Sequence, residues 1–335
     1  MVLNTKNELK RVFKKHLPVS LFLIINFIVL LQIAPIVFSK TPEKNDISSI
    51  FSDGKDIAEG VNPYAKIHGS DMKNNKKYST YLPGFFLITA GAVKLGVNDV
   101  YEFLSWWRPM SVVIHLLIGT LFFWLFWSKG LIPESFFVSL FWIYNRWNLS
   151  VMGSGQIDLL AIGFLLLSLV YFNTDKVRSG VLFGCSLAIK QIAIIFIPAY
   201  LLIWLAQTKN FKEVLSKGIP SIAIVPFIVS LPFLMIDATG FIKSVLFSAT
   251  RNAGGHVKIK SLDYIFEWSG FFSKLPMFGL IFLLAYIGYK RNASPSIIAA
   301  LTLSVFVCFN SVLLWQYFCW SFAFISLALY EHKKA

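Results

Sequence analysis

The chain has 335 residues, 56% of them hydrophobic and only 14% charged. A soluble domain carries about 25% charged residues, so the polar side chains needed to cover a water-facing surface of this size are missing. The net charge of +14 sits mostly in short runs between apolar stretches, the way cationic loops meet anionic headgroups, so membrane lipid and not nucleic acid is the expected partner.

These features predict an all-α, polytopic membrane protein built as a single domain over 1–335. The N-terminal run Lys6, Lys10, Arg11, Lys14, Lys15 and His16 precedes the first apolar stretch without a small-residue cleavage site. It reads as a retained anchor with a cytoplasmic N-terminus. About ten spans are expected, at 17–38, 106–127, 134–150, 156–172, 179–189, 191–206, 219–235, 273–289, 296–312 and 313–330, with 179–206 open to being one long broken helix. A crossing takes about 20 apolar residues. The segment 83–96 is apolar but has only 14 residues, which suits a re-entrant or interfacial helix.

With 83–96 re-entrant, Lys129, Lys176 with Arg178, Lys209 with Lys212 and Lys217, Lys290 with Arg291, and His332 to Lys334 all fall on the cytoplasmic side. Two long loops, about 39–105 and 237–272, are then external. The expected location is a multi-pass cell (inner) membrane, with both termini cytoplasmic and the chemistry extracytoplasmic. Cys185, Cys308 and Cys319 lie in apolar segments without CxxC spacing and are expected to be small core residues.

Candidate chemistry begins in the first loop. Ile47, Ile50, Phe51, Ile57 and Val61 form an amphipathic stretch suited to the membrane surface. Asp46 stands at its start, just past the first span. A carboxylate there can take a proton from a hydroxyl; it can equally be a helix cap. Farther on, Gly153-Ser-Gly-Gln156-Ile-Asp158 opens an apolar span, where Asp158 suits the positive helix end or needs a partner. Lys190 interrupts the apolar run from Cys185 to Pro198 and calls for an anion, either a carboxylate such as Asp158 or a phosphate. Gln316 lies within the aromatic belt Trp315 to Trp320. In the second loop Arg251, Gly254-Gly255, His256, Lys258 and Lys260 are suited to gripping a phosphate or to facing headgroups. No P-loop, GxGxxG, HExxH or GxSxG is present, so ATP-driven transport, nicotinamide chemistry and zincin proteolysis gain no support.

Taken in order, these pieces resemble the GT-C class of glycosyltransferases that use polyprenyl-phosphate sugars. The similarity is to the bacterial polyprenol-phosphate-mannose-dependent mannosyltransferases and the first mannosyltransferase of GPI-anchor assembly. The matching residues are Asp46, Gly60-Val-Asn-Pro63-Tyr64 ending eighteen positions on, Tyr81-Leu-Pro83, Gly155-Gln156-Ile-Asp158, Lys190, and Gln316-Tyr317 with Trp320. The resemblance implies a lipid-embedded, inverting enzyme that moves a sugar, mannose first, from a polyprenyl phosphate to a glycan or glycolipid hydroxyl. It implies Asp46 as catalytic base; the residues offered for binding substrate are Lys190, Tyr64, Gln156, Asp158, Gln316 and Tyr317, with Arg251, His256 and Lys258 added on their own chemistry as a basic grip for phosphate. Where the GPI-type enzymes carry a paired Asp-x-Asp, the first position here is Lys44, so no metal and no separate cofactor are expected. The alternative is a transporter or flippase of a lipid-linked or anionic substrate, with Lys190 and Asp158 on its pathway.

Overall fold

The computed structural model describes residues 2–38, 46–69, 79–250, 261–268, 271–310 and 314–332. Among the described residues every regular element is a helix: α1 Val2–Phe38, α2 Asp46–Ala58, α3 Gly84–Lys94, α4 Val100–Trp127, α5 Ile132–Ile143, α6 Arg146–Gly153, α7 Asp158–Tyr171, α8 Lys176–Ile189, α9 Ile197–Thr208, α10 Phe211–Glu213, α11 Ile219–Thr250, α12 Leu262–Ile265, α13 Leu275–Arg291, α14 Pro295–Phe309 and α15 Gln316–His332. By length and composition, five stretches among the described residues are long and apolar enough to cross a membrane: Leu17–Pro35, Val100–Trp127, Gln191–Thr208, Phe211–Phe247 and Phe272–Arg291. Several of them turn apolar side chains outward, including Leu23, Phe27 and Leu31 of α1, Ile228 and Met235 of α11, and Phe282 of α13. An outer surface of that kind fits a hydrocarbon solvent.

Several expected boundaries move. The span expected at 134–150 breaks after Ile143, where the Asn145 side chain caps α6 by accepting from the Trp147 N–H at 2.9 Å. The stretch 179–206 is divided at Lys190, whose backbone is extended at φ −154°, ψ 118°; a 3-10 turn, Gln191–Phe196, leads into α9. The helix expected to stop at 235 continues as α11 to Thr250, kinked at Asp237. Asp237 caps the second half by accepting from the Gly240 N–H at 2.9 Å. The expected external loop 237–272 therefore begins as helix. The loop expected at 39–105 contains α2, the 3-10 turn Pro63–Ile67, α3 and the start of α4. Cys319 is buried and Cys185 half-buried, but Cys308 is exposed rather than in the core.

Close backbone approach sets the interior. A β-carbon on Gly184 would lie 2.5 Å from the Ile222 carbonyl, and one on Gly180 would collide with the Ser221 side chain. The two glycines, spaced as in small-xxx-small helix pairs, seat α8 directly on α11. The apolar face of α2 packs inward onto α3 and α4 rather than lying free: Ile47, Ile50 and Phe51 are buried, and Phe51 meets Phe103 at 5.6 Å.

A series of contacts gathers the basic helix ends at one end of the bundle. Phe126 packs on Tyr330 at 5.6 Å, and Ser294 donates to Glu331. The Lys209 ammonium lies 6.0 Å from the Tyr289 ring, and Gln207 donates to Asn173 at 3.1 Å. The opposite end holds Tyr64, Tyr81, Trp147 and Trp315, the last two stacked at 4.3 Å.

Candidate functional site

The site is built around a buried ion pair at the end opposite the basic clusters. Asp158 is the first residue of α7, following a turn in which Gly155 adopts φ +70°. That backbone region favours glycine, and a β-carbon there would also strike Leu104. Lys190 lies at the break between α8 and the 3-10 turn. Broken helices at membrane depth are tolerated where protein or a cavity satisfies the freed backbone, and with Lys190 1% exposed the break faces protein rather than lipid.

The Lys190 ammonium donates to both carboxylate oxygens of Asp158, at 2.8 and 2.7 Å, with side-chain exposures of 1% and 0%. Trp320 Nε1 adds a third donor to Asp158 Oδ1 at 2.8 Å. Two aromatic rings flank the ammonium, Tyr81 at 5.6 Å and Tyr317 at 5.8 Å. The carboxylate alternative for the partner of Lys190 is thus the one realised. Buried charges persist when paired and hydrogen-bonded, and this carboxylate has both.

Around this centre lie polar groups with capacity to spare. Gln156 and Gln316 are buried, and Gln156 Oε1 and Gln316 Nε2 have no hydrogen-bond partner among the described residues. Next to Lys190, Gln191 Nε2 donates to the Thr80 carbonyl. The start of α3 is fitted closely here, since a β-carbon on Gly84 would lie 2.5 Å from the Ala188 carbonyl.

Tyr64 is fully buried and reaches the ion pair indirectly. Its hydroxyl donates to the Tyr81 carbonyl at 2.8 Å, and its ring sits against Phe241 at 4.8 Å and Phe233 at 5.3 Å. Burial, and then the nearby Asp53 charge, push its phenol well up. Tyr64 therefore holds Tyr81 in place over Lys190.

Asp46 is half-buried in the first turn of α2. Seven residues on, buried Asp53 accepts from Lys66 at 3.1 Å, and Lys66 also pairs with Asp56. Burial raises the Asp53 carboxyl, against the opposing pull of Lys66. Asp46 is not part of that triad. Its helix joins the ion-pair region through α3, which it meets where Gly54 crosses Thr89. Arg251, His256 and Lys258 lie outside the described residues.

Three contributors are absent from the sequence reading. Gln191 is one. The second is the His68–Asp237 pair, 2.6 Å apart, which ties the first loop to the kink in α11. The third is Arg108, inside the apolar helix α4. Its signal was available, since an arginine within a span calls for the same question as Lys190. Compared with known proteins, the chain matches no family model, no curated protein and no solved structure.

Proposed function

We propose that this chain is an integral membrane glycosyltransferase that crosses the bilayer ten times and moves a sugar, mannose first, from a polyprenyl phosphate to an acceptor hydroxyl at the external face. The observation carrying this reading is convergence. Tyr81, Asp158, Lys190, Tyr317 and Trp320, which carry the resemblance from four separate parts of the chain, meet in one cluster around a buried ion pair. The basic helix ends lie at the other end of the bundle, where the charge rule would put the cytoplasm.

In this reading Asp46 takes the proton from the acceptor hydroxyl. The hydroxyl oxygen forms the new bond to the anomeric carbon as the bond to the phosphate oxygen breaks, and the polyprenyl phosphate leaves with the electron pair. Attack from the face opposite the leaving group inverts the centre. The donor is already activated, so no nucleotide is required. The deciding experiment incubates purified protein in detergent with labelled sugars on polyprenyl phosphate and a hydroxyl acceptor. Transfer that is lost in Asp46→Asn supports the reading. Absence of transfer with every sugar tried, alongside sugar-lipid translocation in vesicles, would favour the transporter alternative.

A further inference from the structure

Arg108 lies on α4 within the apolar stretch Val100–Trp127. Its residue exposure is 6%, and its Nε and Nη2 have no hydrogen-bond partner among the described residues. Those two nitrogens form one edge of the guanidinium, the edge that offers two parallel N–H donors to a pair of oxygens. One helical turn on, and so on the same face, the Ser111 hydroxyl is also buried and without a partner among the described residues. The arrangement offers two parallel donors from a cation and, on the same face of α4, a hydroxyl.

The position is adjacent to the site. The neighbouring Trp107 donates through Nε1 to the Gly155 carbonyl at 3.0 Å, in the turn that leads to Asp158. Lys190 is already committed to Asp158 through two hydrogen bonds, so the pair carries little net charge towards a ligand. No carboxylate pairs with Arg108 among the described residues. A guanidinium with no carboxylate partner among the described residues, held in an apolar helix, is a costly feature that a bound anion relieves.

We infer that Arg108, with Ser111, forms a buried binding site for a phosphate group. Two oxygens take the Nε and Nη2 edge and a third takes the Ser111 hydroxyl, a demand that a phosphate meets and a carboxylate, with two oxygens, does not. That the phosphate belongs to a lipid donor rests on the glycosyltransferase reading; the anion site does not.

The test measures equilibrium binding of radiolabelled farnesyl phosphate, with farnesol as control, to the full chain in detergent. Arg108→Met should weaken farnesyl phosphate binding about tenfold or more, and Arg108→Lys should lose part of the affinity, because an ammonium keeps the charge without the parallel donors. Farnesol should bind weakly and alike in all three proteins. Competition by inorganic phosphate identifies a site for the bare group, and its failure to compete identifies a lipid headgroup site; either supports an Arg108 phosphate site when the variants behave as stated. On the unaltered protein, farnesyl phosphate should shield Arg108 from phenylglyoxal, read by peptide mass spectrometry, which decides the matter if Arg108→Met does not fold. Arg108→Met binding as tightly as the unaltered protein, equal modification with and without ligand, or farnesyl phosphate binding no better than farnesol overturns the inference. Farnesyl phosphate carries no sugar, so Arg108-dependent binding in a protein that transfers no sugar would sink the transferase reading and leave this site standing.

Discussion

Lys190 closes one helix, Asp158 opens another, and their charges meet at 2.7 Å where both are sealed from solvent. Removing either partner strands the other. Lys190→Met or Asp158→Leu should each destabilise the fold by about 3–5 kcal/mol, while the double substitution should recover much of that loss. Thermal unfolding in detergent reads the first effect, and sugar transfer reads the second. If the double variant is stable but inactive, the pair serves the chemistry; if it is stable and fully active, the pair is architecture alone.

Asp46→Asn keeps the size of the side chain and removes its capacity to take a proton. General-base catalysis contributes about 10²–10⁴-fold, so turnover should drop by that order with donor binding retained. Asp53→Asn and Asp56→Asn should cost far less, since both carboxylates are occupied with Lys66. A dead Asp53→Asn beside an active Asp46→Asn would shift the catalytic role one turn pair along α2.

Gly184→Ala would press a β-carbon against the Ile222 backbone, which cannot yield as a side chain can. A loss of about 1–3 kcal/mol is expected. Gly163 supplies the contrast, because its added carbon would meet only the Ile118 side chain at 3.7 Å, an ordinary contact. Gly163→Ala should be neutral or stabilising by up to about 1 kcal/mol. Equal losses at the two positions would mean that the α8–α11 contact is looser than the 2.5 Å approach at Gly184 implies.

Impermeant thiol labelling of single-cysteine variants in intact cells should reach residues 62–69 and miss 128–133 and 209–217. This follows from the common position of the basic helix ends at one end of the bundle and the charge rule for short loops. Labelling at 209–217 from outside would reverse the orientation and move the proposed chemistry to the cytoplasm.

The Lys66 cluster should impart a pH signature to α2. Desolvation pulls the Lys66 ammonium down, but its bonds and attraction to Asp56 and Asp53 outweigh that and raise it above its ordinary 10.5. Its folded value exceeds its unfolded one, so its stabilisation is complete below 10.5 and fades as pH rises through the folded value. Asp53, also raised, contributes most below its ordinary 3.8 and less as pH climbs through its folded value. Hydrogen exchange in 46–58 should therefore show a weakening at strongly alkaline pH that Lys66→Met abolishes. An unchanged alkaline profile in Lys66→Met would remove Lys66 from that role.

The helices and the ion pair were legible because hydrocarbon burial leaves a coarse mark: long apolar runs, and a lysine that must find an anion. Arg108 carries the same mark, but it lies among Trp106, Trp107 and Pro109, a context that resembles an interfacial belt. The break after Ile143 gave no glycine or proline to read, only an asparagine able to cap. The extension of α11 was hidden by Asp237, which resembles the end of a span yet caps a second helical segment. The His68–Asp237 pair joins residues 169 positions apart, and no local periodicity reports on a contact between two such distant side chains. The position of Asp46 outside the Lys66 triad likewise depends on how α2 crosses α3, which is a matter of tertiary packing.

The enclosure of Tyr64 has a consequence for biosynthesis. Its ring is covered by Phe233 and Phe241, and its carbonyl accepts from Ser244, 180 residues later in the chain. At about 5–20 residues per second, that cover leaves the ribosome on the order of ten to forty seconds after Tyr64 does. The first loop is thus made early and completed late. Until α11 is in place, the Tyr64 that anchors Tyr81 lacks its cover, and a nascent chain stopped before Ser244 would carry Asp158 and Lys190 with the Tyr64 side of the site unfinished.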